Sequence, residues 1–181
     1  MIKRIFVFLT AFSALMLSGC SKDISDSDIS DSGNIGDTEM LFDYFSFEDM
    51  PSDETKEFEL PEFPDVKFIW DHFNVVSEKN GEETELFSGM PIWSVYLSDL
   101  NGDGKREICS EVSIGSGITD HRIIVCDHAN NELYELQDRL NYDYRLELKN
   151  GVLYYRELPR YLDGKEHRFE PLSLDQMTRI E

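Results

Sequence analysis

The 181-residue sequence contains 37 acidic and 17 basic side chains, which gives a formal net charge of −20 at pH 7. A charge of this sign argues against nucleic acid and against anionic lipid surfaces as partners, and it favours cations. The same charge also keeps a protein soluble, and composition alone leaves both interpretations open.

Residues 1–19 have the pattern of a signal peptide. Lys3 and Arg4 give a positively charged start, and the apolar run that follows is too short to span a bilayer. The run ends in Leu-Ser-Gly-Cys at 17–20, which resembles the lipobox of bacterial lipoproteins. The resemblance implies that Cys20 is acylated and becomes the mature N-terminus, on the extracytoplasmic face of the cell membrane. An ordinary secretory signal followed by a chance cysteine is the alternative.

Residues 20–57 are predicted to be a tether with one ordered segment. The run 21–38 is rich in Ser and Asp and cannot bury enough apolar surface to order itself, so we expect a solvated spacer. Loose calcium binding by this run is the alternative. Residues 40–50 are more aromatic than a linker needs, and their apolar side chains recur at helical spacing. This pattern favours a short amphipathic helix, which either docks on the domain or awaits a partner.

Residues 58–181 are predicted to fold as a single all-β domain. Short runs of β-branched and aromatic residues recur at spacings of about 8 to 12 residues, which is typical of antiparallel meander strands in a sandwich or partial barrel. Asn80-Gly81 and Asn150-Gly151 predict type I′ hairpin turns. Alternate residues of the run 107–114 share a face, and we expect one face to be core and the other to be partly exposed to water.

A loop between two predicted strands has the spacing of a calcium-binding β-hairpin loop. Its oxygen-bearing side chains follow the pattern D-x-N-x-D-G, and Gly104 permits a sharp turn. An EF-hand requires a bidentate glutamate at the twelfth position, which here is Ser110, so this loop is not an EF-hand. We expect one calcium ion, held by Asp99, Asn101, Asp103, the Lys105 carbonyl and the Glu107 carboxylate.

Two resemblances extend this interpretation. An acid at the ninth loop position and flanking β-type runs make the loop similar to the calcium-binding hairpin loops of FG-GAP and VCBS repeat proteins. A wider resemblance, to an uncharacterised extracytoplasmic domain of Firmicutes, is carried by the runs 89–93, 97–107, 112–118, 142–144 and 146–153. That domain occurs in small lipoproteins and beside antibiotic-sensing membrane metallopeptidases. The resemblance implies a surface sensor or binding accessory with an envelope protein as partner, and it implies no activity.

Two cysteines are candidates for a disulfide. Cys109 and Cys126 lie on strands that flank a loop centred near Ser116, so an antiparallel pairing can set them opposite each other. Export to an oxidising compartment permits the bond. Cross-strand geometry often strains it, and two free thiols are the alternative.

The glycine-rich connection between those strands is a second candidate site. Gly115, Ser116, Gly117 and Asp120 are expected to form a ligand-contacting rim beside the calcium loop, or else an ordinary flexible connection. The segment is not a nucleophile elbow, because position 114 is isoleucine and no helix pattern follows. The four histidines lack the spacings of zinc catalysis.

The sequence therefore predicts a membrane-anchored, non-enzymatic calcium-binding lipoprotein that serves as a binding or sensing module. Its expected partners are the membrane, through the N-terminal lipid, and an envelope protein. Nucleic acid is not expected. The alternative is a cell-envelope hydrolase that acts on wall glycan or peptide, which would need convergent polar groups in a pocket.

Overall fold

The computed structural model describes residues 38–50, 54–115, 117–161 and 168–180. The predictions for the signal peptide, for Cys20 and for the acidic spacer lie outside the described residues. No helix in the described part of the chain has the length and apolar character that crossing a membrane requires.

The described residues form strands joined by short turns, with one turn of 3-10 helix at Leu174–Gln176. The strands are β1 (Glu39–Asp43), β2 (Lys56–Glu59), β3 (Lys67–Trp70), β4 (Asn74–Lys79), β5 (Glu82–Ser88), β6 (Ile92–Ser98), β7 (Glu107–Ile114), β8 (Asp120–Asp127), β9 (Glu132–Leu136), β10 (Tyr142–Lys149), β11 (Val152–Pro159), β12 (Arg168–Pro171) and β13 (Thr178–Arg179). The all-β prediction is confirmed.

The strands assemble into three antiparallel sheets. A six-stranded sheet has the order β1-β6-β7-β8-β9-β13, a four-stranded sheet has the order β2-β3-β4-β5, and a three-stranded sheet has the order β10-β11-β12. Most neighbours in each sheet are also neighbours in sequence, as a meander requires. The sheets do not close into a barrel, so the sandwich is the form of the predicted fold that the chain adopts.

Both predicted type I′ turns are present. Asn80 and Gly81 have φ of 55° and 79° between β4 and β5, and Asn150 and Gly151 have φ of 53° and 80° between β10 and β11. A type I′ turn requires positive φ at both central residues, and Asn-Gly tolerates this conformation best. These two dipeptides therefore determine where two of the hairpins reverse.

The six-stranded sheet is covered on both faces. One face packs on the four-stranded sheet through a core that includes Trp70, Ile108 and Val112. The other face packs on the three-stranded sheet through a core that includes Cys109 and Tyr155. The expectation that one face of β7 is partly exposed to water is therefore wrong. The hairpin β10–β11, which is distant in sequence, covers the face of β7 that carries Cys109, Glu111 and Ser113.

The segment predicted as a helix at 40–50 instead contains a strand. β1 pairs antiparallel with β6 at the edge of the six-stranded sheet. Phe42 is only 7% exposed, and its ring centroid lies 4.0 Å from that of Trp70. A strand forms here in place of the predicted helix, because pairing with the edge of β6 satisfies backbone hydrogen bonds and buries Phe42 in the core. Among the described residues, sheet structure is therefore present from Glu39 onward, before the expected start of the domain at residue 58.

The candidate disulfide between Cys109 and Cys126 does not form, and both thiols are free, which is the alternative that the sequence left open. In the register of β7 and β8, Cys109 lies opposite Val125 and Cys126 lies opposite Ile108. The offset of one residue places the two side chains on opposite faces of the sheet, because side chains alternate along a strand. Burial raises the pKa of both thiols.

Candidate metal site in the β6–β7 loop

The loop of residues 99–106 connects two adjacent strands of the six-stranded sheet. Within it, Gly102 and Gly104 have φ of 76° and 84°. Most side chains make this left-handed conformation costly, and glycine adopts it readily. The two glycines therefore let the loop turn within a few residues; the D-x-N-x-D-G pattern predicts this role for Gly104, and Gly102 adds a second such position.

Side-chain oxygens of the loop accept hydrogen bonds from its backbone. Asp99 Oδ1 accepts from the Gly102 N–H at 2.7 Å, and Asp99 Oδ2 accepts from the Gly104 N–H at 3.0 Å. Asn101 Oδ1 accepts from the Asp103 N–H at 2.8 Å, and Asp103 Oδ1 accepts from the Lys105 N–H at 2.8 Å. An sp² oxygen has two lone pairs, so each acceptor retains capacity for a second partner.

The carboxylates of Asp99, Asp103 and Glu107 converge. Each residue offers an oxygen, and these oxygens all lie within 4.8 Å of one another. Calcium binds oxygens at about 2.3–2.6 Å, so two ligands on opposite sides of one ion are about 5 Å apart. The three carboxylates are therefore spaced closely enough to share a divalent cation.

Glu107 is the buried member of this group. It is 1% exposed, and its Oε2 accepts from the Leu100 N–H at 2.6 Å. Burial, together with the nearby carboxylates of Asp127 and Asp99, raises the pKa of Glu107 to about 7. An ionised carboxylate in this position is costly unless a positive charge compensates it.

The other two predicted ligands lie in the same loop. The side-chain oxygen of Asn101 accepts from the Asp103 N–H, and its Nδ2 donates to Asp127 Oδ2 at 3.1 Å. The Lys105 N–H donates to Asp103. Coordination by Asn101 and by the Lys105 carbonyl stays a prediction.

Asp127 is a residue of the site that sequence reasoning missed. It is 2% exposed, and it directly follows Cys126, which pairs with Ile108, the residue after Glu107. Besides Asn101, it accepts from the backbone N–H of Asn130 at 3.0 Å and from its Nδ2 at 2.8 Å. Asp127 thereby holds Asn101 in place. An Asx-type turn at 127–130 is readable from the sequence, but its position beside Glu107 depends on strand register.

Arg106 fixes the end of the loop to other parts of the domain. Its Nε lies 2.8 Å from Glu62 Oε1, and its Nη1 lies 3.1 Å from Glu39 Oε2 on β1. The hydrogen bond from Arg106 lowers the pKa of Glu62. These contacts connect the loop to β1 and to the segment before β3.

The predicted rim does not lie beside the metal site. The loop 99–106 precedes β7, and residues 115–119 follow it. Eight residues of extended chain separate the two, a span of about 25 Å. Asp120 is also 1% exposed and pairs with Arg122 and Arg160, so it lies beneath the surface. Ligand contact by Gly115 and Gly117 stays a prediction, and Ser116 is outside the described residues.

Ser113 and His121 form the contact that comes nearest to a catalytic pair. Ser113 Oγ lies 3.1 Å from His121 Nδ1. The same oxygen accepts from Trp93 Nε1 at 2.6 Å, and Ser113 is only 1% exposed. A nucleophile must reach its substrate, so this buried and already bonded hydroxyl does not support the hydrolase alternative.

A scan against protein-family models and searches of curated proteins and of solved structures found no match to this chain. Its function therefore has to be argued from its own residues.

Proposed function

We propose that this chain is a membrane-anchored extracytoplasmic lipoprotein whose β domain binds one calcium ion and acts as a binding or sensing module. The observation that carries the proposal is the convergence of Asp99, Asp103 and Glu107 on one point. Their loop has the length and glycine positions that the sequence pattern requires. Oxygen ligands on a tight loop are the chemistry that calcium prefers in proteins.

The donor set favours calcium over other divalent ions. The group consists of three carboxylates. In the part of the chain that the structure describes, no histidine or cysteine belongs to this group. Zinc and copper favour nitrogen and sulfur ligands. Magnesium usually keeps several waters and uses one or two carboxylates. A site with three protein carboxylates and neighbouring amide oxygens suits the larger calcium ion.

The ion would act as a structural link between two strands. Asp99 follows the last residue of β6, and Glu107 is the first residue of β7. One cation between them offsets the repulsion of three crowded carboxylates and fixes the pairing of the two strands. Extracellular modules bind calcium with dissociation constants of about 10⁻⁴ to 10⁻³ M, which matches an extracytoplasmic location.

The membrane anchor rests on the sequence. The motif at 17–20 supports lipidation of Cys20, and an acidic spacer follows it. Two or more acyl chains anchor a protein stably, whereas one chain does so only marginally.

Thermal unfolding of the protein in calcium and in EGTA tests the metal site. At a hundredfold excess over the dissociation constant, calcium should stabilise the fold by about 2.7 kcal/mol, which raises Tm by about 5–10 °C. The variants Asp99→Ala and Asp103→Ala should lose this increment. Glu83→Ala, which removes an exposed carboxylate on β5, should keep it. Equal Tm values in calcium and in EGTA would contradict the proposal.

A further inference from the structure

A cleft of about 620 Å³ lies between β1 and the three-stranded sheet, apart from the metal site. Its buried lining residues are Tyr96 of β6, Glu111 of β7 and Leu146 of β10, which are 1%, 6% and 6% exposed. One wall is Leu146 and its neighbours on β10, the edge strand next to β11 in the three-stranded sheet. The other wall is the segment around β1, including Phe45.

Glu111 is a buried carboxylate with incomplete hydrogen bonding. Its Oε2 accepts from the Leu146 N–H at 3.4 Å, and its Oε1 lies 3.7 Å from Arg145 Nε. Charge-assisted hydrogen bonds are normally about 2.7–2.9 Å long, so both contacts are weak. The Arg145 side chain is also 42% exposed, which screens its charge. The carboxylate therefore retains capacity for a strong donor.

The charge around the cleft favours a cation. The lining residues with acidic or basic side chains are Asp43, Glu111, Glu147, Arg145 and Arg156. Arg156 pairs with Glu147, which leaves Arg145 alone to balance two acids in a chain whose net charge is −20. The local field therefore attracts positive charge.

The apolar part of the lining is suited to a hydrocarbon group. Met40 and Phe45 border the cleft and are 51% and 75% exposed. Leu146 and Leu148 line the facing wall. Concave sites with apolar walls and a few convergent polar groups are the usual form of small-molecule sites.

We propose that this cleft binds a small organic cation, in which a primary ammonium group is joined to a short apolar chain. The ammonium group donates to Glu111 and Asp43, and the chain packs against Phe45 and Leu146. This site is independent of the metal site, because no residue of the loop 99–106 lines it.

The site should bind the cation more tightly as the pH rises from 6 to 8. Burial raises the pKa of Glu111 to about 7, and Arg145 opposes this shift while Asp43 and Asp143 add to it. The buried Tyr96 also faces this carboxyl group. Below its pKa Glu111 holds a proton that the cation must displace, and above it the carboxylate is free to accept.

Titration of the ¹⁵N-labelled full-length protein with n-butylammonium chloride tests the proposal, with the Leu146 amide signal as the readout. Saturable shifts are expected, with and without calcium. Butyrate and n-butanol should bind at least about tenfold more weakly, since they lack the charge-assisted bond. Saturation of the same signal by butyrate at equal concentration, or no shift with butylammonium, would overturn the proposal.

Variants locate the site. Glu111→Gln should abolish the butylammonium shifts and their pH dependence. Glu157→Gln, which alters another buried carboxylate facing Arg168, should leave both unchanged. If Glu111→Gln loses its dispersed spectrum, the half-buried Asp43→Asn serves instead and should weaken binding several-fold. Unchanged affinity in the folded acid variants would refute the assignment, whatever the outcome for calcium.

Discussion

At the scale of single residues, Glu107 combines the fold and the proposed function in one side chain. It begins β7, it is 1% exposed, and burial together with the charge of another buried acid, Asp127, raises its pKa. A core position of this kind is normally apolar, since a buried carboxylate is costly to ionise and neighbouring carboxylates repel each other. A cation that compensates the charge would explain the carboxylate, and the oxygens of Asp99 and Asp103 lie within 4.8 Å of it and of each other.

The variant Glu107→Gln should have effects of opposite sign with and without calcium. The folded pKa of about 7 exceeds the ordinary value, so in calcium-free buffer the stability cost of ionising Glu107 grows from about pH 4.5 and is complete above pH 7. At pH 8 without calcium, Gln should therefore raise the free energy of unfolding by up to about 3 kcal/mol. With calcium, Gln should lower it, because a ligand is lost.

Urea unfolding at pH 8, in calcium and in EGTA, measures both effects. The control is Glu85→Gln, an exposed acid on β5, which should change neither value appreciably. A Gln variant that is destabilised equally in both buffers would show that Glu107 has only a packing role.

At the scale of elements, β1 extends the folded domain to residues before the expected start at residue 58. It is an edge strand that shares backbone hydrogen bonds with β6, and the Tyr44 N–H next to it donates to the Trp93 carbonyl at 2.9 Å. Phe42 from this strand enters the core shared with the four-stranded sheet. The aromatic segment is therefore docked on the domain, and its exposed Phe45 borders the cleft.

Two phenylalanines of the same segment test this docking. Phe42→Ala should cost about 3–5 kcal/mol of unfolding free energy, because Phe42 is buried against Trp70. Phe45→Ala should cost less than about 0.5 kcal/mol, because Phe45 is 75% exposed. Denaturant unfolding of both variants gives the comparison. Equal, small losses would mean that the segment is not part of the stable fold.

At the scale of the whole molecule, the six-stranded sheet is the middle of three layers. Its burial on both faces explains why polar residues on β7 and β8, such as Glu111, Ser113 and Asp120, are buried. Glu111, Ser113 and Asp120 have hydrogen-bond or ion-pair partners, as buried polar groups usually do, whereas the buried Ser110 Oγ on β7 has none among the described residues. The inner layer thus carries the groups on which both proposed sites depend.

The predicted lipid anchor is also a property of the whole molecule. Cys20→Ser should move the protein expressed in bacterial cells from the detergent phase to the aqueous phase in a detergent phase-partition assay, because acylation needs the thiol. Cys126→Ser, which changes a buried thiol of the β domain, should leave partitioning unchanged. Retention of Cys20→Ser in the detergent phase would contradict lipidation at this residue.

The sequence by itself determined the features that depend on a few neighbouring residues. Asn80-Gly81 and Asn150-Gly151 specify turns through their own backbone preferences, and Gly102 and Gly104 do the same for the loop of the metal site. The alternation of apolar residues likewise made the all-β class readable, since side chains of a strand alternate between faces.

Only the tertiary structure decided what lies beside each strand. Four features depend on segments that are distant in sequence. They are the pairing of β1 with β6, the burial of the second face of β7 under β10–β11, the placement of Cys109 and Cys126 on opposite faces, and the proximity of Asp127 to Glu107. Such contacts depend on the sum of burial and backbone pairing over the whole domain, and a register change of one residue reverses them. A local sequence pattern does not contain this information, so the helical spacing at 40–50 led to a wrong prediction, and the sequence could not decide whether Cys109 and Cys126 are bonded.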